Sequence, residues 1–106
     1  MIIKCAIIDD EPLAAGLLES YVNKTPYLKL VGVYDSAIKA MTDLRDKSVQ
    51  LLLLDIQMPE LSGIEFAKIL PEETKVIFTT AFPQYAIESY KVNALDYLLK
   101  PISYED

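Results

Sequence analysis

The sequence of 106 residues predicts a doubly wound α/β fold, in which helices cover both faces of a five-stranded parallel sheet. Five short apolar runs recur along the chain, and a helical pattern separates each run from the next. Unbroken apolar runs are typical of strands that are buried on both faces, and such strands occur in parallel sheets. The alternation of strand and helix favours right-handed crossovers, and we expect the strand order 2-1-3-4-5.

The five predicted strands are rich in branched apolar residues and comprise residues 2–8, 28–34, 51–54, 76–78 and 97–99. The second run alternates more between apolar and polar residues than the other four.

The first predicted helix opens at Pro12, a residue suited to a first helical turn, and stops before Pro26. Its large apolar residues recur with helical spacing, so we expect them to form the face that packs on the sheet. They are Leu13, Leu17, Leu18, Tyr21 and Val22.

Ser36 is expected to cap the second helix, with Ile38, Met41 and Leu44 facing the sheet. A short third helix is predicted over residues 63–69.

Two further helices are predicted towards the end of the chain. Pro83 can open the fourth, and Ser103 could cap a fifth that is cut short at Asp106. Because a fifth parallel strand needs cover on both faces, we expect residues 1–106 to be a single domain and the N-terminal part of a longer chain.

The composition excludes several classes of site. The chain carries 10 basic and 16 acidic residues, and its net charge of −6 argues against nucleic acid or an anionic membrane as a direct partner. A single cysteine, Cys5, and the absence of histidine exclude an internal disulfide, a Cys/His zinc site and a histidine-dependent nucleophile. No apolar stretch approaches the roughly 20 residues of a membrane span, and the apolar run at residues 1–3 is too short for that of a signal peptide, so we expect a cytoplasmic domain.

Polar residues follow the predicted strands at their carboxyl ends. Asp9 and Asp10 follow the first strand, Asp55 the third, Thr80 the fourth and Lys100 the fifth. In open α/β sheets, ligands bind in the crevice outside these ends, and in the order 2-1-3-4-5 the first and third strands are neighbours. We therefore expect the three carboxylates to converge.

Three carboxylates that lie close together repel one another unless a cation neutralises them. Oxygen ligands without histidine or a reactive cysteine favour Mg²⁺ over zinc, and Mg²⁺ is commonly shared with phosphate oxygens. Asp55 is then a candidate phosphoryl acceptor, because carboxylates form aspartyl phosphates. Lys100 supplies a positive charge and Thr80 a hydroxyl donor for the transferred group.

Four motifs lie at the ends of predicted strands. They are IIDDEP at 7–12, LDIQMP at 54–59 followed by Ser62-Gly63, TA at 80–81, and DYLLKP at 96–101. Together and in this order, the motifs resemble the receiver domain of two-component response regulators over essentially the whole chain, which implies a flavodoxin-like fold. Residues 82–102 are most similar to receivers of the LytR/AlgR subfamily, which usually precede a LytTR-type DNA-binding domain.

The resemblance implies a metal site and a phosphoryl acceptor. Asp55 would accept the phosphoryl group from the phosphohistidine of a histidine kinase. Asp10 would bind Mg²⁺ directly and Asp9 through water, while Asp55 and the backbone carbonyl of Gln57 would complete the protein ligands. Lys100 would contact the phosphoryl oxygens.

The resemblance also implies a switch. Thr80 would move to hydrogen-bond the phosphoryl group, and Tyr97 would turn inward to fill the vacated space. The face formed by the fourth helix, the fifth strand and the fifth helix would then control an output. That output would be a C-terminal domain that binds DNA and regulates transcription, and phosphorylation could also produce a homodimer. Such a domain assists its own phosphorylation and dephosphorylation and is a signalling switch, not an enzyme.

Two other functions remain open at the level of the sequence. A degenerate receiver would serve only as a protein-interaction module, although the complete set of candidate site residues argues against it. An aspartyl-phosphate phosphatase of the haloacid dehalogenase type would share the chemistry, but its nucleophile follows the first strand in an Asp-x-Asp pattern that Asp9-Asp10-Glu11 lacks. Purely structural roles are also open for these residues. The acidic residues 9–11 could cap the first helix, Thr80 could be structural, and Tyr97 could pack in the core.

Overall fold

The computed structural model describes residues 2–56, 58, 62–70, 74–80 and 96–99, without the side chains of residues 42, 45, 64 and 96–99. Within these residues the chain forms five strands and three helices. The strands are β1 (Ile3–Ile8), β2 (Leu28–Tyr34), β3 (Leu51–Asp55), β4 (Lys75–Thr80) and β5 (Asp96–Leu99). The helices are α1 (Pro12–Asn23), α2 (Ala37–Asp46) and α3 (Gly63–Ala67).

The strands form one sheet with the order β2-β1-β3-β4-β5, and every neighbouring pair is parallel, which confirms the predicted topology. Because all strands run the same way, their carboxyl ends meet at one edge. Asp55 at the end of β3 pairs with Thr79 of β4.

The core lies on both faces of the sheet, as the unbroken apolar runs predict. Alternate residues of the central strands enter two separate clusters. One cluster packs beneath α2 and α3 and includes Leu52 and Leu54, while the other packs beneath α1 and includes Leu53. A strand flanked by helices on both faces buries the side chains on both, and this explains why β3 begins with four leucines.

The packing face of α1 differs from the predicted one. Leu18 and Val22 are buried as expected, but Leu13 is 89% and Leu17 39% exposed, and Ala15 completes the buried face. Residues 15, 18 and 22 share one side of the helix, whereas Leu13 and Leu17 lie on the opposite side. The prediction was wrong for these two leucines because it weighted large apolar residues over alanine.

The same difference recurs in α2. Ala37, Ala40 and Leu44 face the sheet, whereas Ile38 is 52% and Met41 40% exposed. The small alanine side chains are the ones that let the helix approach the strands closely. The predicted cap is confirmed, since Ser36 Oγ accepts a hydrogen bond from the N–H of Lys39 at 3.2 Å.

The edge strand β2 contains an irregularity that α2 covers. The register to β1 shifts where Cys5 pairs with Leu30 but Ala6 with Gly32, so Val31 is an extra residue in β2. Lys47 Nζ, just beyond α2, donates to the carbonyl of Val31 at 3.1 Å.

Tyr34 joins the end of β2 to α2. Its hydroxyl donates to Asp43 Oδ2 at 2.9 Å, and burial together with this hydrogen bond raises the pKa of Tyr34, which keeps the hydroxyl protonated. The ring lies over Gly32, where a Cβ atom would meet it at 2.6 Å.

Two predicted elements, the fourth helix from Pro83 and the fifth from Ser103, lie outside the described residues. Within the described part of the chain, no helix is long and apolar enough to cross a membrane.

Candidate metal centre

Three aspartates meet at the carboxyl edge of the sheet. β1 ends at Ile8, directly before Asp9 and Asp10, and β3 ends at Asp55. Ile8 pairs with Leu54, so the two strands end at nearly the same level. One carboxylate oxygen from each aspartate lies within 4.8 Å of the other two. The structure thus brings together the three carboxylates that the sequence places at strand ends.

The three carboxylates differ in their exposure to solvent. Asp9 is 1% and Asp55 4% exposed, whereas Asp10 is exposed. Burying like charges together costs free energy, and a bound cation offsets that cost. All three donors are carboxylate oxygens, the ligand type that hard divalent cations such as Mg²⁺ prefer. The donor set therefore fits a divalent metal ion.

Hydrogen bonds hold Asp9 between β2 and α1. Its N–H donates to the carbonyl of Tyr34 at 2.9 Å, and its Oδ1 accepts from the N–H of Glu11 at 2.9 Å. The second bond closes the turn before α1, where Glu11 makes no capping bond with its own side chain. Asp9 therefore supports the start of the helix in addition to facing the other aspartates.

A groove of about 480 Å³ opens beside Asp9 and Asp10. Its walls come from α1, from the end of β2 and from the start of α2, and they include Tyr34, Asp35 and Lys39. Lys39 Nζ lies 3.0 Å from Asp35 Oδ1 in an exposed ion pair. The groove gives Asp9 and Asp10 a route to solvent, which an ion-binding site requires.

The carboxyl end of β2 was not predicted to form part of the site. Tyr34 is the last residue of that strand, and Asp35 follows it. The signal that could have found both residues is the one used for Asp9 and Asp55: parallel strands bring their carboxyl ends to one edge.

Thr80 is the last residue of β4 and is 1% exposed. Because its neighbour Thr79 pairs with Asp55, Thr80 lies at the same edge of the sheet as the aspartates. Thr80 itself pairs with Leu99, the last residue of β5.

The other predicted site residues lie wholly or partly outside the described residues. The backbone of Tyr97 pairs with Phe78 in the sheet, but its side chain is not described. Gln57 and Lys100 lie outside the described residues altogether.

Hydrogen bonds also join the end of β3 to β4 and α3. The N–H of Ile56 donates to the carbonyl of Thr79 at 3.1 Å, and the carbonyl of Ile56 accepts from the N–H of Gly63 at 2.8 Å. Ser62 Oγ accepts from the N–H of Glu65 at 3.2 Å and caps α3. The first turn of α3 therefore begins directly beside Asp55.

The sequence matches a known protein family over most of its length. Residues 5–106 match the family described as the response regulator receiver domain. The chain is 39% identical over 102 residues to the transcriptional regulatory protein BtsR of Escherichia coli, which covers 94% of this chain and 43% of that protein. It is 38% identical over 102 residues to an uncharacterized response regulatory protein of Shewanella oneidensis, with 94% and 43% covered. The chain thus spans less than half the length of these relatives.

Solved structures with the same architecture support this match. The response regulatory domain of protein mrkE from Klebsiella pneumoniae superposes with a TM-score of 0.88 at 29% identity, covering 97% of this chain and 87% of that one. The isolated REC domain of RcsB from Salmonella enterica, determined in the presence of the phosphomimetic BeF3-, gives a TM-score of 0.91 at 18% identity, covering 100% and 83%. The second likeness concerns the fold alone.

Proposed function

The chain belongs to the response regulator receiver domain family, and we propose that it is a phosphorylation-activated switch in which Asp55 accepts a phosphoryl group from a histidine kinase. The observation that carries the proposal is the meeting of Asp9, Asp10 and Asp55 within 4.8 Å at the end of the central strands. Asp55 is held in the sheet at the last position of β3, so its carboxylate has a fixed position relative to the other two.

In the proposed transfer, a carboxylate oxygen of Asp55 bonds to the phosphorus of the donor phosphohistidine. The bond between phosphorus and the donor imidazole nitrogen breaks, and that nitrogen keeps the bonding electron pair. Asp10 and the backbone carbonyl of Gln57 would hold Mg²⁺ directly together with Asp55, and Asp9 would hold it through water. When bound, Mg²⁺ would neutralise negative charge on the transferring group.

Lys100 and Thr80 would act on the phosphoryl group itself. The lysine ammonium would balance charge on the phosphoryl oxygens, and the threonine hydroxyl would donate a hydrogen bond to one of them. Phosphorylation adds about −1.5 to −2 charges and strong acceptor oxygens, so the state in which Thr80 closes on the group is stabilised. Tyr97 would turn inward as Thr80 moves.

The face formed by the predicted fourth helix, β5 and the predicted fifth helix would transmit this change. Because the relatives are longer and include a transcriptional regulatory protein, we propose that the domain is the N-terminal receiver of a cytoplasmic regulator of transcription. Its output would be a DNA-binding domain of the LytTR type, as the likeness of residues 82–102 to LytR/AlgR receivers suggests. A phosphorylation-dependent homodimer would bring two such domains together.

The experiment that tests the proposal is incubation of the domain with Mg²⁺ and acetyl phosphate, followed by intact mass measurement. A receiver gains one phosphoryl unit, and Asp55→Asn gains none. Continuous release of phosphate from substrate would indicate a phosphatase. A parent chain that neither gains mass nor turns over substrate would be a degenerate module, and the proposal would fail.

A further inference from the structure

We propose that Gly63 is a positioning residue for the metal centre: its lack of a side chain lets α3 start directly against the backbone of Asp55. The inference rests on the proposed function, because it concerns how the chain prepares the site for Mg²⁺. Gly63 touches neither the metal ion nor the phosphoryl group in this proposal, and acts through the chain on either side of it.

The space around Gly63 is filled by backbone atoms of the site itself. A Cβ atom at this position would overlap the carbonyl oxygen of Asp55 and would lie 2.9 Å from both the carbonyl carbon of Asp55 and the Cα of Ile56. Backbone atoms at the end of a paired strand cannot turn aside as a flexible side chain can. Any side chain at Gly63 must therefore displace either the end of β3 or the start of α3.

A hydrogen bond ties Gly63 to the residue after β3, which is itself bonded to β4. The N–H of Gly63 donates to the carbonyl of Ile56 at 2.8 Å, and the N–H of Ile56 donates to the carbonyl of Thr79 at 3.1 Å. The hydrogen bond from Gly63 joins the two residues that flank positions 57–62 of the sequence, and these positions include Gln57, whose carbonyl is a proposed metal ligand. Phe66, 1% exposed, anchors the other end of α3 in the core.

The other two glycines show that this close approach is particular to Gly63. The sequence has three glycines, all within the described part of the chain. A Cβ atom at Gly16 would meet nothing within 4 Å, and the three atoms nearest to one at Gly32 would be side-chain atoms of Tyr34. Among the three positions, Gly63 alone has the backbone of the candidate phosphoryl acceptor against it.

The methyl group of Gly63→Ala is expected to displace the end of β3 or the start of α3 by more than a few tenths of an ångström, because it overlaps a backbone carbonyl oxygen and neither backbone can yield freely. Metal sites are sensitive to such changes in the groups that orient their ligands. We expect the variant to bind Mg²⁺ about 10- to 100-fold more weakly than the parent while remaining folded.

The test is an NMR titration of isotope-labelled protein with MgCl2, which reports the affinity and the integrity of the fold in the same sample. Gly16→Ala is the matched control, because the same methyl group there meets no atom within 4 Å and leaves the backbone of Asp55 untouched. It is expected to bind Mg²⁺ as the parent does.

A second variant separates positioning from loss of stability. Ser48 follows α2 with a φ of 53°, a conformation that favours glycine, so Ser48→Gly is expected to stabilise the fold at a position beyond the opposite end of β3. The double variant Gly63→Ala with Ser48→Gly should regain stability and still bind Mg²⁺ weakly.

The inference is overturned if folded Gly63→Ala binds Mg²⁺ as the parent does, or if Ser48→Gly restores the affinity. It is also overturned if neither variant that carries Gly63→Ala folds, since the glycine would then serve the fold and not the site. A parent chain that binds no Mg²⁺ would instead reject the proposed metal centre, and the inference with it.

Discussion

Cys5 lies within β1 with no exposed surface, and burial raises the pKa of its thiol to about 12. The residue belongs to the cluster beneath α1, where it acts as a small apolar side chain. Burial favours the protonated thiol in the folded state. The packing of Cys5 therefore stabilises the fold fully at pH values below the ordinary thiol pKa. This stabilisation is lost as the pH rises towards 12.

We expect Cys5 to resist iodoacetamide at neutral pH in the folded protein and to react completely in denaturant. The thiolate is the reactive form, so burial and a raised pKa both slow the reaction. Since the sequence has a single cysteine, the intact mass after labelling reports this residue alone. Complete labelling without denaturant at the rate of a small free thiol would contradict the assignment of Cys5 to the core.

Two of the helices, α2 and α3, begin with a serine N-cap. Ser36 and Ser62 each accept a hydrogen bond from an N–H three residues further on, at 3.2 Å in both cases. Such a cap satisfies one of the four N–H groups that have no partner within the helix. The start of α2 matters for the site because Lys39 and Asp35, at this end of the helix, form part of the groove wall.

Ser36→Ala is expected to lower the free energy of unfolding by about 1 kcal/mol, the usual cost of losing a serine cap. Urea denaturation followed by circular dichroism measures the change. The same substitution at Ser20, inside α1, is the control, because there alanine is the better helix former and the protein should be unchanged or slightly more stable. Equal losses for both variants would argue against the cap.

Charge is the property of the whole molecule that bears most on the site. The net charge is −6, and three of the acidic groups meet at one edge of the sheet. Their mutual repulsion opposes folding in the absence of a cation, and a cation that binds only the folded state stabilises it by mass action. Cation binding at these three side chains would therefore be coupled to the stability of the fold.

Asp10→Asn is expected to change stability in two opposite ways. Without divalent cations it should unfold at a higher temperature than the parent, because one of three repelling charges is removed. With Mg²⁺ the parent should gain about 2.7 kcal/mol when free Mg²⁺ is about 100 times its dissociation constant, and the variant should gain much less. Thermal unfolding with and without MgCl2 measures both effects.

Asp46→Asn provides the control for this prediction. Asp46 is an exposed residue at the end of α2, so its replacement changes the net charge by the same amount at a position outside the three aspartates. It should leave the Mg²⁺ effect intact. If Asp46→Asn and Asp10→Asn behaved alike, the effect would belong to net charge and not to the site.

The architecture and the meeting of the three aspartates could be predicted from the pattern of residues along the chain. The bounds of β2 are those predicted, and the parallel order of the strands follows from apolar runs separated by helices. A strand that is buried on both faces consists almost entirely of apolar residues, so a strand such as β3 can be recognised from the sequence. Once the strand order is known, the meeting of Asp9, Asp10 and Asp55 follows, since parallel strands end at one edge.

The tertiary structure alone decided which helical residues touch the sheet and how closely α3 approaches Asp55. Ala15 and Ala40 pack inward while Leu13 and Ile38 stay exposed, because the contact depends on how near a helix axis lies to the strands. Likewise, nothing in the pattern around Gly63 indicates that its Cα faces the carbonyl of Asp55. These features depend on distances between segments far apart along the chain, and local spacing of residue types carries no information about such distances.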